Sequence, residues 1–131
     1  MKPGSIRDLK AMLMGMEPVL SERIWCFQPV SDTRFIPETA FAVIREDEGA
    51  CCILPAEASA SDAAQFARIT LSVHSDLEGV GLTASVATTL ATSGIACNVI
   101  AGLNHDHLFV PWDRREEALA LLEKLSLDAR R

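Results

Sequence analysis

The chain has 131 residues, of which 49% are hydrophobic and 23% charged, so it can bury one core or two small fused ones without disulfides. Its net charge of −6 argues against a surface for nucleic acid or anionic membrane, because both need a concentrated positive field. The sequence contains no apolar run of the roughly 20 residues needed to cross a bilayer, and no signal-peptide pattern. We therefore expect a cytoplasmic protein with no nucleic-acid or membrane partner.

The first half of the chain predicts one short helix and three strands. Ser5 with Asp8 three residues later is typical of a helix start, and Pro18 helps to end that helix. The predicted strands are "ERIWCFQPV" (22–30), "AFAVIRE" (40–46) and "ACCILP" (50–55). The "DEG" turn makes the last two a β-hairpin. "AEASASDAA" is either a helix or a loop, and its pattern does not decide between them.

The second half begins with the clearest strand, "FARITLSVH" (66–74), in which apolar residues keep period two. A helix is predicted from about Gly79 to Ser93, with Gly94 as the residue that stops it. Two strands follow, "IACNVIAG" (95–102) and "HLFVP" (107–111). "WDRREEALALLEKL" then forms a helix in which Asp113 and Glu116 have capping-box spacing. We expect the tail "SLDARR" to be frayed.

From residue 66 onward the order is therefore strand, helix, strand, strand, helix. This order lacks one strand of the split-βαβ, ferredoxin-like unit, so the missing edge strand has to come from elsewhere in the chain. The first half, interpreted as a second, degenerate copy of the same unit, would account for both halves.

Two blocks, "HSDLEGVGLTASVATTLATSGIACNVIAG" and "HDHLFVP", resemble the C-terminal part of small ACT-domain-containing proteins, which are related to the regulatory domains of aspartokinase. The resemblance covers residues 66–126 closely and the first half loosely. It implies an α+β fold of tandem ACT-like ferredoxin-type (βαββαβ) units, antiparallel sheets with helices on one face. The implied domains are an N-terminal degenerate ACT-like half (1–64) and a C-terminal ACT domain (65–131). Such proteins typically bind amino acids between ACT units.

The loop before the second helix is the candidate binding site. Gly79 and Gly81 remove side chains where a strand turns into a helix, so backbone N–H groups there can approach a ligand. A helix N-terminus favours a carboxylate, and Asp76 or Glu78 could receive an ammonium group. A second interpretation stays open, in which the acidic residues only cap the helix and the glycines only allow close packing.

We therefore predict a non-catalytic sensor that binds an amino acid, forms a homodimer through exposed sheet edges, requires no cofactor and acts on an unidentified protein. Asn98 and His105 are predicted to line the side-chain pocket. The predicted ligand-binding residues are Asp76, Leu77, Glu78, Gly79, Val80, Gly81, Leu82, Asn98 and His105. The alternative is a structural dimerisation or scaffold module that keeps the ACT shape but has lost its effector.

Three histidines raise two weaker hypotheses. His105 and His107 share a strand face, with His74 at the end of an earlier strand, yet no further His or Cys stands at a recognised ligand spacing, so no metal site is predicted. The serines lack a nucleophile-elbow context and "GVG" is not followed by Lys-Ser/Thr, so no enzyme is predicted. An enzyme that uses His105 or His107 would lose its turnover in His107→Ala.

Overall fold

The structure, a computed structural model, describes residues 5–58 and 62–131. The part of "AEASASDAA" at 59–61 therefore lies outside the described residues, and Ala56–Ala58 before it form a 3₁₀ turn. The helices are α1 (Leu9–Met14), α2 (Leu82–Thr92) and α3 (Arg115–Ala129). The strands are β1 (Pro18–Pro29), β2 (Ala42–Glu46), β3 (Gly49–Pro55), β4 (Phe66–Leu71), β5 (Asn98–Ala101) and β6 (Asp106–Pro111). The predicted α+β class is confirmed.

The chain forms two compact units. The larger contains the described residues up to Ser21 together with Ala67–Arg131, and the smaller contains Glu22–Phe66. The N-terminal helix thus belongs with the second half of the sequence. The division into ACT-like halves at 1–64 and 65–131 stays a prediction.

The larger unit supplies the strand that the βαββα order lacks. Its hydrogen-bonded strand order is β1, β4, β6, β5, and β1 enters it with Pro18–Ser21. Just before β1, the backbone carbonyl of Met16 accepts from the N–H of Ser72 at 2.8 Å. The missing edge strand therefore comes from the N-terminal side of the sequence, which completes the ferredoxin-like unit in a permuted chain order.

The three helices cover the core of the larger unit. In β4 every second residue is buried, Ala67, Ile69 and Leu71, as its period predicts. The buried side chains of α2 recur every four residues, and α3 adds Ala118 and Leu122. Each fully buried Leu or Ile stabilises the fold by about 1.5–3 kcal/mol relative to an exposed one. The buried α2 side chains are Leu82, Val86 and Leu90.

The smaller unit contains the predicted hairpin. β2 and β3 pair antiparallel, with Glu46 opposite Gly49, and Gly49 has φ +131° in the turn. β3 also pairs antiparallel with β1, with Trp25 opposite Pro55. The Trp25 ring packs edge-on against Phe41 with centroids 5.7 Å apart. The hairpin prediction is confirmed.

Helix boundaries differ from the predictions where distant contacts intervene. α1 begins at Leu9 and is capped by Asp8, whose carboxylate accepts from Ala11 N–H at 2.8 Å, and not by Ser5. α2 begins at Leu82 and not at Gly79, because Gly81 has a non-helical φ of +107°. Its predicted end is confirmed: Gly94 has φ +71°, and the N–H groups of Gly94 and Ile95 donate back to Ala91 and Leu90 in a Schellman motif.

Two predictions for the last helix are wrong. The Asp113–Glu116 capping box does not form, because residues 112–114 make a 3₁₀ turn and Arg114 becomes the N-cap without a side-chain bond. The tail is not frayed at Ser126, because α3 continues to Ala129. Ser126 is buried, and its hydroxyl donates to the Met14 carbonyl at 3.3 Å. In the described part of the chain, no helix has the length and apolarity to cross a membrane.

Candidate functional site

The N-terminal segment runs alongside the loop that joins β4 to α2. Ile6 N–H donates to the His74 carbonyl at 2.8 Å, and the Ile6 carbonyl accepts from Asp76 N–H at 2.8 Å. Ile6 and Ser75 thus form a one-residue parallel bridge. This bridge explains why α1 starts later than predicted, since residue 6 has to be extended to make it.

Asp76 is the buried anchor of this loop. Its Oδ1 accepts from the Glu78 N–H at 2.8 Å, and its Oδ2 accepts from the Ser5 hydroxyl at 2.8 Å. Arg7 Nε lies 3.4 Å from Oδ1. These contacts hold the pKa of Asp76 below its usual range, with the Glu78 N–H first, then Ser5 and Arg7, against the opposing effect of burial. The Asp76 carboxylate is therefore ionised and already has three donors from its own chain.

Glu78 is exposed and pairs with the same guanidinium. Arg7 Nη2 lies 2.7 Å from Glu78 Oε2, and 74% of the Glu78 side chain is exposed. Because this pair is solvated, it adds little to stability. Arg7 thus forms ion pairs with both carboxylates, Asp76 and Glu78. The sequence predicted that one of them binds the ammonium group of a ligand, and that role stays a prediction.

Both glycines of the loop, Gly79 and Gly81, lie against side chains of α1. A Cβ on Gly79 would lie 3.1 Å from the Asp76 carbonyl oxygen and 3.2 Å from Met12 Sδ. A Cβ on Gly81 would lie 3.0 Å from Leu9 Cδ2. Gly81 also has φ +107°, a backbone conformation that residues with a side chain rarely adopt. Close helix packing therefore requires glycine at both positions, which leaves the backbone bare beside α2.

A small cavity lies between this loop, α1 and the β5–β6 hairpin. Its volume is about 140 Å³. No side chain caps the first turn of α2, because Gly81 is the N-cap, so the amides of that turn lack intrahelical acceptors at one wall of the cavity. The lining residues are Met12, Ser75, Asp76, Leu77, Gly79, Gly81, Leu82, Thr83, Ala101 and Asp106.

Asp106 is a lining residue that sequence reasoning missed. It is 9% exposed, and the Ser75 hydroxyl donates to its Oδ2 at 3.2 Å. Over residues 5–58 and 62–131, no other donor to this carboxylate is present. Period two could have found it, since Asp106 shares a strand face with the core residues Leu108 and Val110, opposite His105 and His107.

The cavity brings together five of the nine predicted residues: Asp76, Leu77, Gly79, Gly81 and Leu82. Glu78 and Val80 belong to the same loop but point to solvent, and Val80 is 81% exposed. Asn98 lies at the far end of β5 from Ala101, where its side-chain amide donates to the Phe109 carbonyl at 3.4 Å. Neither Asn98 nor His105 lines the cavity, and their ligand role stays a prediction.

The three histidines form a cluster in which the ring of His105 lies near the other two. The rings of His74 and His105 lie 4.8 Å apart, and those of His105 and His107 6.5 Å apart. His107 Nδ1 is 2.9 Å from the Thr70 hydroxyl. Burial lowers the pKa of His107, and Arg68 and His105 lower it further, against a smaller opposing effect of Asp106. Within the described residues, no group of three or more His, Cys, Asp or Glu could hold a metal ion.

Comparison with known proteins identifies the family. The ACT domain matches residues 66–124. A solved protein of unknown function from Vibrio cholerae, described as a possible transport protein, is 40% identical, covers 86% of this chain and 92% of its own, and has a TM-score of 0.76. Among curated proteins there is no match.

Two more distant structures share the fold alone. An Agrobacterium tumefaciens protein is 20% identical, with 79% of this chain and 84% of its own covered and a TM-score of 0.64. The ligand-free regulatory subunit of aspartate kinase from Thermus thermophilus is 10% identical, with 85% and 97% covered and a TM-score of 0.61. From the domain match and the Vibrio cholerae relative, this chain belongs to the ACT-domain family.

Proposed function

We propose that this chain is a non-catalytic regulatory ACT-domain protein that binds a small effector, an amino acid, in the cavity at the N-terminus of α2. The observation that carries the proposal is the cavity itself. It combines the uncapped first turn of an 11-residue helix with a wall of glycine backbone and a volume of about 140 Å³. The regulatory name of the Thermus thermophilus relative agrees with this role by likeness of fold.

The amides of the first turn of α2 provide the site for the effector's carboxylate. Helix geometry leaves the first N–H groups without intrahelical acceptors, and the helix dipole adds a partial positive charge there. Gly81 carries no side chain that could satisfy or cover them. An anion that enters the cavity therefore gains several hydrogen bonds at once.

Regulation follows from what binding would do to the loop. The effector would tie the loop at Gly79–Leu82 to α1 and to the β5–β6 hairpin, all of which border the cavity. It shifts the affinity for a partner protein only by the difference in its contact with the two states of this loop. The proposal includes a homodimer, because β5 ends the strand order of the larger unit and leaves an edge for pairing. It also includes the cytoplasmic location that the sequence predicts.

A thermal-shift screen against the twenty amino acids, common carboxylic acids and nucleotides tests this function. A ligand at about one hundred times its Kd adds about 2.7 kcal/mol to the free energy of unfolding. Ala101→Val narrows the cavity from an exposed strand position, and Ala96→Val is its control at an exposed position away from the cavity. The proposal requires a shift with at least one amino acid that Ala101→Val abolishes and Ala96→Val keeps.

A scaffold role is the second candidate, and exposed apolar side chains favour it. Leu77, Val80 and Leu103 are 66%, 81% and 63% exposed, on the loop beside the cavity and in the β5–β6 turn. Burial of such side chains under a partner protein stabilises the complex. A stable dimer in sedimentation experiments that no compound of the screen stabilises would favour the scaffold over the sensor.

A further inference from the structure

We propose that the three histidines, His74, His105 and His107, form a proton-sensitive switch in which a charged His105 ring leaves its place between the other two rings. This movement loosens the contact between the loop that joins β4 to α2 and the turn that joins β5 to β6. The switch is a property of the chain itself and does not depend on whether an effector binds.

All the histidines of the chain meet in one place. The sequence contains three, and they come from two segments that lie far apart along the chain. The ring centroids of His74 and His105 lie 4.8 Å apart, and those of His105 and His107 lie 6.5 Å apart. His105 is thus the central ring, so a change in its charge acts on both neighbours.

The loop and the start of β6 are joined by two contacts. In one, the Ser75 hydroxyl donates to Asp106 Oδ2 at 3.2 Å. In the other, the rings of His74 and His105 meet, and these residues directly precede Ser75 and Asp106 in the sequence. Both contacts therefore hold the same pair of segments. The ring contact is made by the residue type whose charge ordinarily changes between about pH 5 and 8.

A buried ring nitrogen makes the charged form of His105 unfavourable in its present place. His105 Nδ1 is buried and has no hydrogen-bond partner among residues 5–58 and 62–131. A neutral imidazole carries a proton on one ring nitrogen, whereas the charged ring carries a proton on both. The charged ring would therefore hold an N–H group without an acceptor, which costs free energy. Movement of the ring towards solvent removes this cost.

His107, in contrast, can take up a proton without moving. Its Nδ1 lies 2.9 Å from the Thr70 hydroxyl, and a hydroxyl can either donate to a neutral ring nitrogen or accept from a charged one. The contact with Thr70 therefore holds His107 in both forms. The ring that has to move when the cluster becomes charged is His105.

The charges around the cluster oppose the uptake of protons. Burial lowers the pKa of His107, and Arg68 and His105 lower it further. Among the described residues, Asp106 is the one acidic group with the opposite effect on this pKa. Its side chain lies on the other face of β6, because side chains alternate along a strand. A proton on His105 therefore adds positive charge to a cluster that already has Arg68 beside it.

Hydrogen–deuterium exchange of the full chain, followed by nuclear magnetic resonance at about pH 7.5 and about pH 5.5, tests the switch. Protection factors are compared, because they correct for the direct effect of pH on exchange. Gly102 N–H donates to the His105 carbonyl at 2.9 Å, and Asp76 N–H donates to the Ile6 carbonyl at 2.8 Å. Both protection factors should fall by about tenfold or more in acid.

One amide and two variants serve as controls. Ile95 N–H donates to the Leu90 carbonyl at 3.0 Å at the end of α2, and its protection factor should fall by less than about threefold. His105→Phe keeps an aromatic ring that cannot take up a proton, so Gly102 and Asp76 should stay protected in acid. His107→Asn leaves the contact between His74 and His105 in place and should retain the fall.

Three results would overturn the switch. The first is an unaltered chain in which Gly102 and Asp76 keep their protection in acid. The second is a fall as large as that of Ile95, since it would report a general loss of stability. The third is a fall that persists in His105→Phe or disappears in His107→Asn, because His105 would then not be the residue responsible. None of these results bears on the effector site, which the ligand screen tests separately.

Discussion

The Ser5 hydroxyl donates a hydrogen bond of 2.8 Å to Asp76 Oδ2, across 71 positions of the sequence. This bond, together with the Ile6–Ser75 bridge, holds the N-terminal segment against the loop that borders the cavity. The loop that we propose as the effector site is thus fastened by residues that precede the first helix.

Because the Ser5 hydroxyl donates to Asp76, we expect Ser5→Ala to destabilise the protein. Removal of the hydroxyl leaves the buried Asp76 carboxylate with one donor fewer, so the free energy of unfolding should fall by about 1 kcal/mol. Urea unfolding followed by circular dichroism measures this change. Ser31→Ala, at an exposed serine, is the matched control and should stay within about 0.5 kcal/mol of the unaltered chain. Equal midpoints for the two variants would contradict the fastening.

The Gly81 position predicts a steric cost beyond backbone strain. Gly81→Ala places a Cβ 3.0 Å from Leu9 Cδ2 at φ +107°, whereas Gly94→Ala at φ +71° meets nothing within 4 Å. Gly94→Ala should therefore cost about 1–2 kcal/mol from backbone strain alone, and Gly81→Ala should cost more. In the double variant with Leu9→Ala, the added cost at Gly81 should shrink. Equal costs at the two glycines would show that Leu9 does not limit the position.

The packing of α3 predicts a large cost for a core truncation. Leu122 is 0% exposed in the core of the larger unit, and Leu122→Ala should lower the free energy of unfolding by about 2–5 kcal/mol. Leu127→Ala is the matched control on the same helix, since Leu127 is 58% exposed, and it should cost less than about 0.5 kcal/mol. Similar costs would mean that the helix does not pack on this face.

Because of His107, we expect the free energy of unfolding to fall in mild acid. Its pKa in the folded chain lies below the ordinary value of 6.5, because of burial, Arg68 and His105, while Asp106 acts in the opposite direction. Near pH 6 the unfolded chain therefore binds more protons than the folded chain, so the free energy of unfolding decreases as pH falls below about 6.5 and levels off below the folded pKa. His107→Asn should reduce the loss between pH 7.5 and 5.5 in urea titrations. A variant that loses as much as the unaltered chain would refute this assignment.

Local signals in the sequence predicted local structure well. The end of α2 at Gly94 and the hairpin of β2 and β3 depend on residues close in sequence, and both are confirmed. The start of α1 could not be predicted in this way, because Ile6 is held extended by its bridge to Ser75 and the Ser5 hydroxyl donates to the distant Asp76. The position of β1 beside β4 depends on pairing between distant segments, for which no local pattern exists.

The candidate site was predictable in its backbone and not in its charges. The glycine loop at the N-terminus of α2 follows from the strand-to-helix transition, and five of the nine predicted residues line the cavity. The pairing of Arg7 with Asp76 and Glu78 depends on the N-terminal segment, whose path the sequence did not indicate. Asp106 escaped notice because the neighbouring histidines suggested a histidine site, although the period of the strand places Asp106 on the core face.

A nuclear magnetic resonance titration of the ¹⁵N-labelled protein with each of the twenty amino acids tests the proposed effector site at the level of single residues. If the cavity at the N-terminus of α2 is the effector site, the amide signals of Gly79, Gly81, Leu82 and Thr83 should move together with one Kd, and Ala101→Val should abolish the change. Amide signals that stay still in this loop, or that move only elsewhere in the chain, would contradict the account.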